Sequence, residues 1–351
     1  MSGFPVYVLG GSGYVAGEAI RLILGHPQLA LAGVASDGQP GTPVEAAFPH
    51  LAPRLDGQLF LSYETLAARA GGDAHCGVIS AAPHGASAGL IASLLAQLGA
   101  KTRVSVVDLS ADFRFAEPAA YERTYGHAHG APGLQQDFTC AVPEHLPKAG
   151  TPHVAHPGCF STAILLASVP LLALELVEPQ LWVSAVTGST GSGRQPTEGT
   201  HHPRRHSDLY AYNPLAHRHT PEIAALARAA TGVTGEFAFV PHSGPFARGI
   251  HATVQARLRQ PVDVTALRNQ LRDFYAGSAF VGVVENCPRL KDVVASNYAR
   301  LGVASDGRNL VVTSVIDNLV KGAAGGGLQW LNRLLGFEET AGLTAPAAGW
   351  T

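Results

Sequence analysis

The sequence predicts an α/β protein in two parts, a parallel sheet covered by helices followed by a domain of α+β texture. Three observations carry that reading. Short apolar runs alternate with helical patterns between Val6 and Leu109, a glycine turn separates the first strand from the first helix, and β-rich runs take over after about Pro152. Strands that alternate with helices imply parallel pairing with both sheet faces buried.

Taken in order, Val6-Tyr7-Val8-Leu9 is a short buried strand, Gly10-Gly11-Ser12-Gly13 a tight turn, and Gly17 to Gly25 a helix carrying Ile20, Leu22, Ile23 and Leu24. Leu29 to Val34 reads as the second strand and Val78-Ile79-Ser80 as a third, ending at Pro83-His84-Gly85. A helix over Ala86 to Leu98 and a strand over Val104 to Leu109 follow. Beyond Pro152, a helix from Ser161 to about Leu174 precedes strands at Leu181 to Thr187, Gly235 to Val240, Gly249 to Leu258 and Leu310 to Ile316. Asn318 to Leu335 is helical again, and the Ala, Gly and Pro residues of 344–351 make a loosely held end. The domains drawn this way are 1–155, completed by a C-terminal helical segment within 318–345, and 156–317.

With 46% hydrophobic and 14% charged residues, the chain has ample side chain to bury, which excludes disordered and coiled-coil classes. Lys and Arg number 24 against 26 Asp and Glu, a net charge of −2, without the basic footprint of a nucleic-acid partner. The most apolar stretch, Ala163 to Val177, is broken by Ser168, Pro170 and Glu175 and falls short of the ~20 residues that cross a bilayer, so no membrane partner is expected. Met1 to Pro5 carry no basic region ahead of an apolar core, which fits a cytoplasmic protein. Cys76, Cys140, Cys159 and Cys287 are widely spaced and form no C-x-x-C pair, so each is expected to be a thiol. No His-x-x-x-His or cysteine-rich set has metal-ligand spacing, and no metal is expected.

Three segments point to chemistry. Gly10-x-x-Gly13-x-x-x-Gly17, after a strand and opening a helix, fits a pyrophosphate cradle: glycines allow close approach, and a helix start offers free N–H groups and a positive dipole end. That makes the first domain a Rossmann-like dinucleotide-binding domain. About 20 residues beyond Gly17, Ser36 suits a ribose 2′-phosphate and Asp37 a 2′-hydroxyl, so the residues leave NADP and NAD open. His156-Pro157-Gly158-Cys159 places a thiol at a helix start, where the dipole favours the nucleophilic thiolate. The other three cysteines read as small buried hydrophobes. Thr187-Gly-Ser-Thr-Gly-Ser-Gly-Arg194 suits a ligand-wrapping loop, and His217-Arg218-His219 combines two proton-transfer groups with a cation.

These motifs together resemble the N-acetyl-γ-glutamyl-phosphate reductase family, relatives of aspartate-semialdehyde dehydrogenase. The pattern runs in order through Gly10 to Tyr14, Pro83-His-Gly85, Asp108 to Arg114, Val142-Pro-Glu144, His156 to Cys159, Gly188 to Gly193, His217 to Ile223, Arg248-Gly-Ile250, Ser296-Asn297 and Asp317 to Gly325. The resemblance implies a catalytic and dimerisation role for the second domain, assembly as a homo-oligomer (dimer or tetramer), and a small-molecule acyl phosphate as substrate. It implies that Cys159 attacks the acyl phosphate to form a thioester that NADPH reduces to the semialdehyde, a step of arginine biosynthesis. His217 is its expected acid/base, with His219 as second choice. Gly10, Ser12, Gly13, Tyr14, Val15, Ser36, Pro83, Ser189, Gly191, Ser192, Gly193 and Asn318 are expected on the cofactor, and Arg114, Arg218 and Arg248 on substrate anions.

The chain departs from the commonest pattern at Gly199-Thr-His-His-Pro-Arg-Arg-His206 and at Tyr298-Ala-Arg300. A paralogous enzyme of lysine biosynthesis, which reduces an aminoadipyl phosphate tethered to an acidic carrier protein, has a similar His-His-Pro segment. Arg204, Arg205 and His206 would under that alternative steer the acidic carrier. A non-catalytic dinucleotide sensor would need neither Cys159 nor the histidine motif, and a cysteine hydrolase would have no use for the glycine turn.

Overall fold

The computed structural model describes residues 3–350, which divide into two compact units. Of the described residues the first comprises 3–141, 148–156 and 323–344, the second 142–147, 157–322 and 345–350. Residues Val142–Pro147 thus group with the second unit, and the C-terminal contribution to the first begins at Ala323 rather than Asn318.

In the first unit, β1 (Phe4–Leu9), β2 (Leu29–Ala35), β3 (His75–Ser80), β4 (Arg103–Asp108), β5 (Phe138–Cys140) and β6 (His153–Ala155) form a parallel sheet of order β2-β1-β3-β4-β6-β5. The connections include α1 (Tyr14–Leu24), α2 (Tyr63–Ala70), α3 (Ser87–Leu98) and α4 (Pro118–Tyr125). Apolar strand residues such as Tyr7, Leu9, Val78 and Val106 pack with Leu66, Ile91 and Leu94 of the helices in one buried cluster. Because every strand is covered, the strands read as near-continuous apolar runs, which is what made them legible.

The second unit is built on a mixed sheet of order β11-β12-β13-β10-β7-β9-β8. Its strands are β7 (Val177–Thr187), β8 (Tyr210–Ala211), β9 (Glu236–Ser243), β10 (Ile250–Leu258), β11 (Val281–Val284), β12 (Ala299–Ser305) and β13 (Asn309–Ile316). Along β7 and β10 buried residues alternate with more exposed ones, the period-2 signature of a sheet packed mainly on one face. Helices α5 (Cys159–Ala173), α6 (His219–Thr231) and α7 (Val264–Phe274) belong to this unit. From Phe160 to Leu172 every residue of α5 is buried, as expected for a helix apolar all round. Strand β7 begins four residues earlier than the apolar pattern indicates, because Glu178 and Gln180 lie on its exposed side.

The C-terminal segment also differs from the single helix expected from Asn318. Val320–Ala324 form a π-turn, followed by α8 (Gly325–Leu335). The carboxylate of Asp317 accepts the N–H groups of Leu319 and Val320, and its carbonyl accepts that of Gly322. The five-residue step of that last bond widens the turn.

The glycine turn after β1 divides its labour. Gly10 has φ +70°, and a Cβ there would lie 2.4 Å from the Cα of Ala82. A Cβ on Gly17 would strike the ring of Phe48, whereas one on Gly13 would meet nothing within 4 Å. Gly10→Ala is therefore expected to cost more than about 2 kcal/mol in urea unfolding, and Gly13→Ala less than about 1 kcal/mol. Equal costs would contradict this division.

Candidate active site

Helix α5 starts where Pro157 and Gly158 turn the chain. Gly158 is the N-cap (φ −59°, ψ 154°), and its N–H donates to Glu222 Oε1 of α6 at 2.7 Å. Its carbonyl accepts both the N–H and the hydroxyl of Thr162. Cys159 is therefore the first helical residue, two positions ahead of the start expected from sequence, and it is partly exposed. First-turn N–H groups have no carbonyl one turn earlier, so the positive end of α5 favours a thiolate there. Cys76 is buried, with its thiol pushed up to about 12 by burial and then by Asp73.

Cys159 opens onto a pocket of about 480 Å3 whose walls include Gly191, Ser192, Tyr212, His217, Arg218 and His219. His217 is 7% exposed and its ring lies 5.4–5.6 Å from those of Phe160, Tyr212 and Phe239. Its Nδ1 faces the backbone N–H of His219 at 3.2 Å and accepts from it, which leaves the proton of the neutral ring on Nε2. Burial, and after it the neighbouring Arg218 cation, lowers its pKa to about 4. His217 is thus a neutral hydrogen-bond donor through Nε2. His219 is buried at the first position of α6, its ring 4.7 Å from that of His217. Arg218, between them, is exposed.

Tyr212 was not indicated by any sequence motif. Its phenol is raised well above the ordinary value, first by burial and then by Cys159, so it is a second neutral donor in the pocket. Only the chain path between β8 and α6 brings it there. The same unit buries an ion pair, Lys321 Nζ to Glu144 Oε1 at 2.6 Å, with both side chains at most 1% exposed. Tyr275 Oη donates to the carbonyl of Leu166 in α5 and therefore accepts from His145 Nε2, 3.0 Å away. Burial holds His145 down at about 4. Next to Lys321, a Cβ on Gly322 would lie 2.8 Å from the Cβ of Cys159 and 3.1 Å from its Cα, so the π-turn is pressed against Cys159.

Several expected ligand groups are bonded to the scaffold. Arg114 is 7% exposed and donates through Nε and Nη2 to the carbonyls of His156 and Leu109. Arg248, expected on substrate, closes its Nε/Nη2 edge on the Asp317 carboxylate at 3.0 and 3.2 Å. That edge is the one that grips an oxyanion, and in both arginines it is turned to protein acceptors. Asn318, expected on the cofactor, accepts from Gly249 N–H and donates to Thr190 Oγ1. Those bonds pin the 188–193 loop, together with Ser189 and Thr190 N–H groups on the carbonyls of Phe246 and Ala247. Gly191 and Ser192 line the pocket, and Ser189 and Gly193 flank them on the same turn.

The remaining cofactor candidates lie in the first unit. Gly13 is the N-cap of α1, Tyr14 and Val15 form its first turn, and no acidic residue occupies that turn. An open Cα and free N–H groups at a helix start fit a pyrophosphate. Ser36 Oγ lies 3.4 Å from Ser12 Oγ and joins the glycine turn to the end of β2, while Asp37 is exposed. The Pro83 carbonyl accepts the N–H groups of Ala86 and Ser87, opening α3, and the Asp112 carboxylate holds Gly85 and Ala88 N–H. Among the described residues no group of three His, Cys, Asp or Glu side chains is arranged to hold a metal, and no helix is long and apolar enough to cross a membrane.

An NMR titration of His217 should find its ring neutral from pH 8 to 5 and protonating near pH 4. Its folded value lies below the unfolded one of about 6.5, so protonation favours the unfolded chain. The stability held by the neutral ring is complete above pH 6.5 and is lost as pH falls toward 4. Arg218→Gln should move the midpoint upward, and a wild-type midpoint near 6.5 would refute the arrangement.

Residues 5–151 match the family described as semialdehyde dehydrogenase, NAD binding domain, and 159–318 that described as semialdehyde dehydrogenase, dimerisation domain. The chain is 40% identical to N-acetyl-gamma-glutamyl-phosphate reductase of Frankia casuarinae, covering 98% of both chains, and 37% identical to that of Dehalococcoides mccartyi, covering 99% of both. Its fold is similar to that of aspartate semialdehyde dehydrogenase II from Vibrio cholerae, with TM-score 0.72 at 15% identity over 95% of this chain and 99% of the other. An aspartate semialdehyde dehydrogenase with NADP from Candida albicans has TM-score 0.66 at 16% identity, over 95% of this chain and 99% of that one. The ordered motifs, the two-unit fold and full-length identity agree, and the chain belongs to the N-acetyl-gamma-glutamyl-phosphate reductase family of semialdehyde dehydrogenases.

Proposed function

We propose that this protein reduces N-acetyl-γ-glutamyl phosphate to N-acetyl-L-glutamate 5-semialdehyde in arginine biosynthesis. The observation that carries the reading is Cys159 at the first position of the buried helix α5, facing a pocket shared with His217 and Arg218. The thiolate attacks the acyl carbon, forming a thioester and expelling phosphate. NADPH, when bound, supplies the hydride that converts the thioester to the aldehyde and frees the thiol. The Nε2–H of His217 and the phenol of Tyr212 donate to the oxygen that becomes negative in each tetrahedral species, the task of an oxyanion hole. His219 is the second candidate for proton transfer. Arg218 is the cation for a substrate anion.

Gly10, Ser12, Gly13, Tyr14 and Val15 would hold the pyrophosphate, and Ser36 faces the ribose side in the NADP reading. Ser189, Gly191, Ser192 and Gly193 are proposed as further cofactor contacts, through the backbone donors of their turn. The protein is placed in the cytoplasm as a homo-oligomer, dimer or tetramer, built through residues 159–318. The small substrate is favoured over a carrier-tethered aminoadipyl phosphate because Arg204 is paired with Glu198 at 2.7 Å and Arg205 is buried, so the cluster is not a free basic surface.

Cys159→Ser should retain NADPH binding and lose turnover, leaving at most a few per cent. His217→Asn should lower kcat by about 10²–10⁴ with little change in KM, and a larger loss at His219→Asn would transfer the role. kcat/KM should be higher with NADPH than with NADH. The assay is NADPH formation from N-acetylglutamate semialdehyde, phosphate and NADP⁺. Negligible turnover of the free semialdehyde beside fast, salt-sensitive turnover of the carrier-tethered one would reverse the choice of substrate.

A further inference from the structure

Arg205 carries a buried charge that no acidic side chain balances among the described residues. It ends the one-turn helix His202–Arg205 and is 7% exposed. Nη1 donates to the carbonyls of Asp208 and Ser243 at 3.2 and 3.4 Å. Nε and Nη2 are buried and have no hydrogen-bond partner. The neighbouring acid Glu198 is engaged by Arg204, whose side chain is 66% exposed.

The two unpartnered groups are not an arbitrary pair. Nε–H and Nη2–H lie parallel on one edge of the guanidinium, spaced for the two oxygens of a carboxylate or phosphate. Arg248 shows the same edge in use, closed on the carboxylate of Asp317. A buried N–H left unmade is costly, and more so on a cation, so the edge is explained if an anion fills it. Its place supports this: Ser243, whose carbonyl holds Nη1, lines the Cys159 pocket, and its β8 partner Tyr210 lines it too.

We propose that the Nε/Nη2 edge of Arg205 is an oxyanion seat adjoining the Cys159 pocket, taking either the carboxylate or the phosphate of the substrate. Arg205, rather than Arg114 or Arg248, is then the buried arginine that reads substrate charge. The chemical identity of the anion rests on the function proposed above; the existence of the seat does not.

The test measures the affinity of inorganic phosphate and of N-acetyl-L-glutamate by calorimetry, for wild type, Arg205→Met, Arg205→Lys and the control Arg204→Met. Arg205→Met should weaken one of the two ligands by about 10- to 100-fold, with Arg205→Lys intermediate and Arg204→Met unchanged. Loss of phosphate alone marks a seat for the leaving group; loss of N-acetylglutamate alone marks a seat for the substrate carboxylate. In the semialdehyde assay the corresponding KM should rise by the same factor. If wild type binds an anion through Arg205 yet turns over neither semialdehyde, the proposed function fails and the seat stands. Unchanged affinities in both variants, or no binding of either anion by wild type, overturn the seat. So does a variant whose only change is in subunit association, which would assign the edge to an acid of a second copy. Should Arg205→Met fail to fold, Arg205→Lys, which keeps a donor for the Ser243 carbonyl, decides the matter alone.

Discussion

Asp317, at the end of β13 and 0% exposed, organises the second unit around Cys159 through one carboxylate and one carbonyl. Its oxygens take the fork of Arg248 and the N–H groups of Ala295, Leu319 and Val320. Its carbonyl takes Gly322 N–H and sets the π-turn. A buried carboxylate is tolerable only with its lone pairs filled, so these partners are held to one arrangement. That arrangement delivers Gly322 against Cys159, where even one added carbon would meet the Cβ of Cys159 at 2.8 Å.

A second set of buried polar contacts supports the same turn. Lys321 and Glu144 form a pair from which water is excluded, and the neighbouring His145 ties to Tyr275, which in turn ties to the carbonyl of Leu166 within α5. Breaking one member would strand a charge in the interior, at a cost far above that of a surface pair. The helix that Cys159 opens is thus fixed at its start by Glu222 through Gly158 and in its middle by Tyr275. Within the pocket His217 and Tyr212 are kept neutral by burial, so each is a hydrogen-bond donor without a charge of its own.

Much of this was legible in the sequence. The strands of the first unit are buried on both faces and so appear as apolar runs, and Gly10 to Gly17 announces a strand-turn-helix by residue type alone. Cys159 after Pro157-Gly158 was legible for the same local reason, since a Pro-Gly turn marks where a helix begins. The roles of the arginines were not legible. Arg114, Arg205 and Arg248 are the same residue type in the sequence, and nothing local says that Arg114 is bonded to carbonyls, Arg248 to Asp317, and Arg205 left with a buried, unpartnered edge.

The sequence by itself determined the α/β class, the strand-turn-helix at Gly10 to Gly17 and the helix start at which Cys159 stands, because each depends on periodicity or on residues adjacent in the chain. Tertiary structure alone decided which groups meet Cys159. Glu222 reaches Gly158 across 64 positions, Arg248 reaches Asp317 across 69, and Lys321 reaches Glu144 across 177. The physical reason is that burial, which sets whether an imidazole is neutral or a guanidinium unpaired, is a property of everything packed around a group, and no stretch of chain carries that information alone.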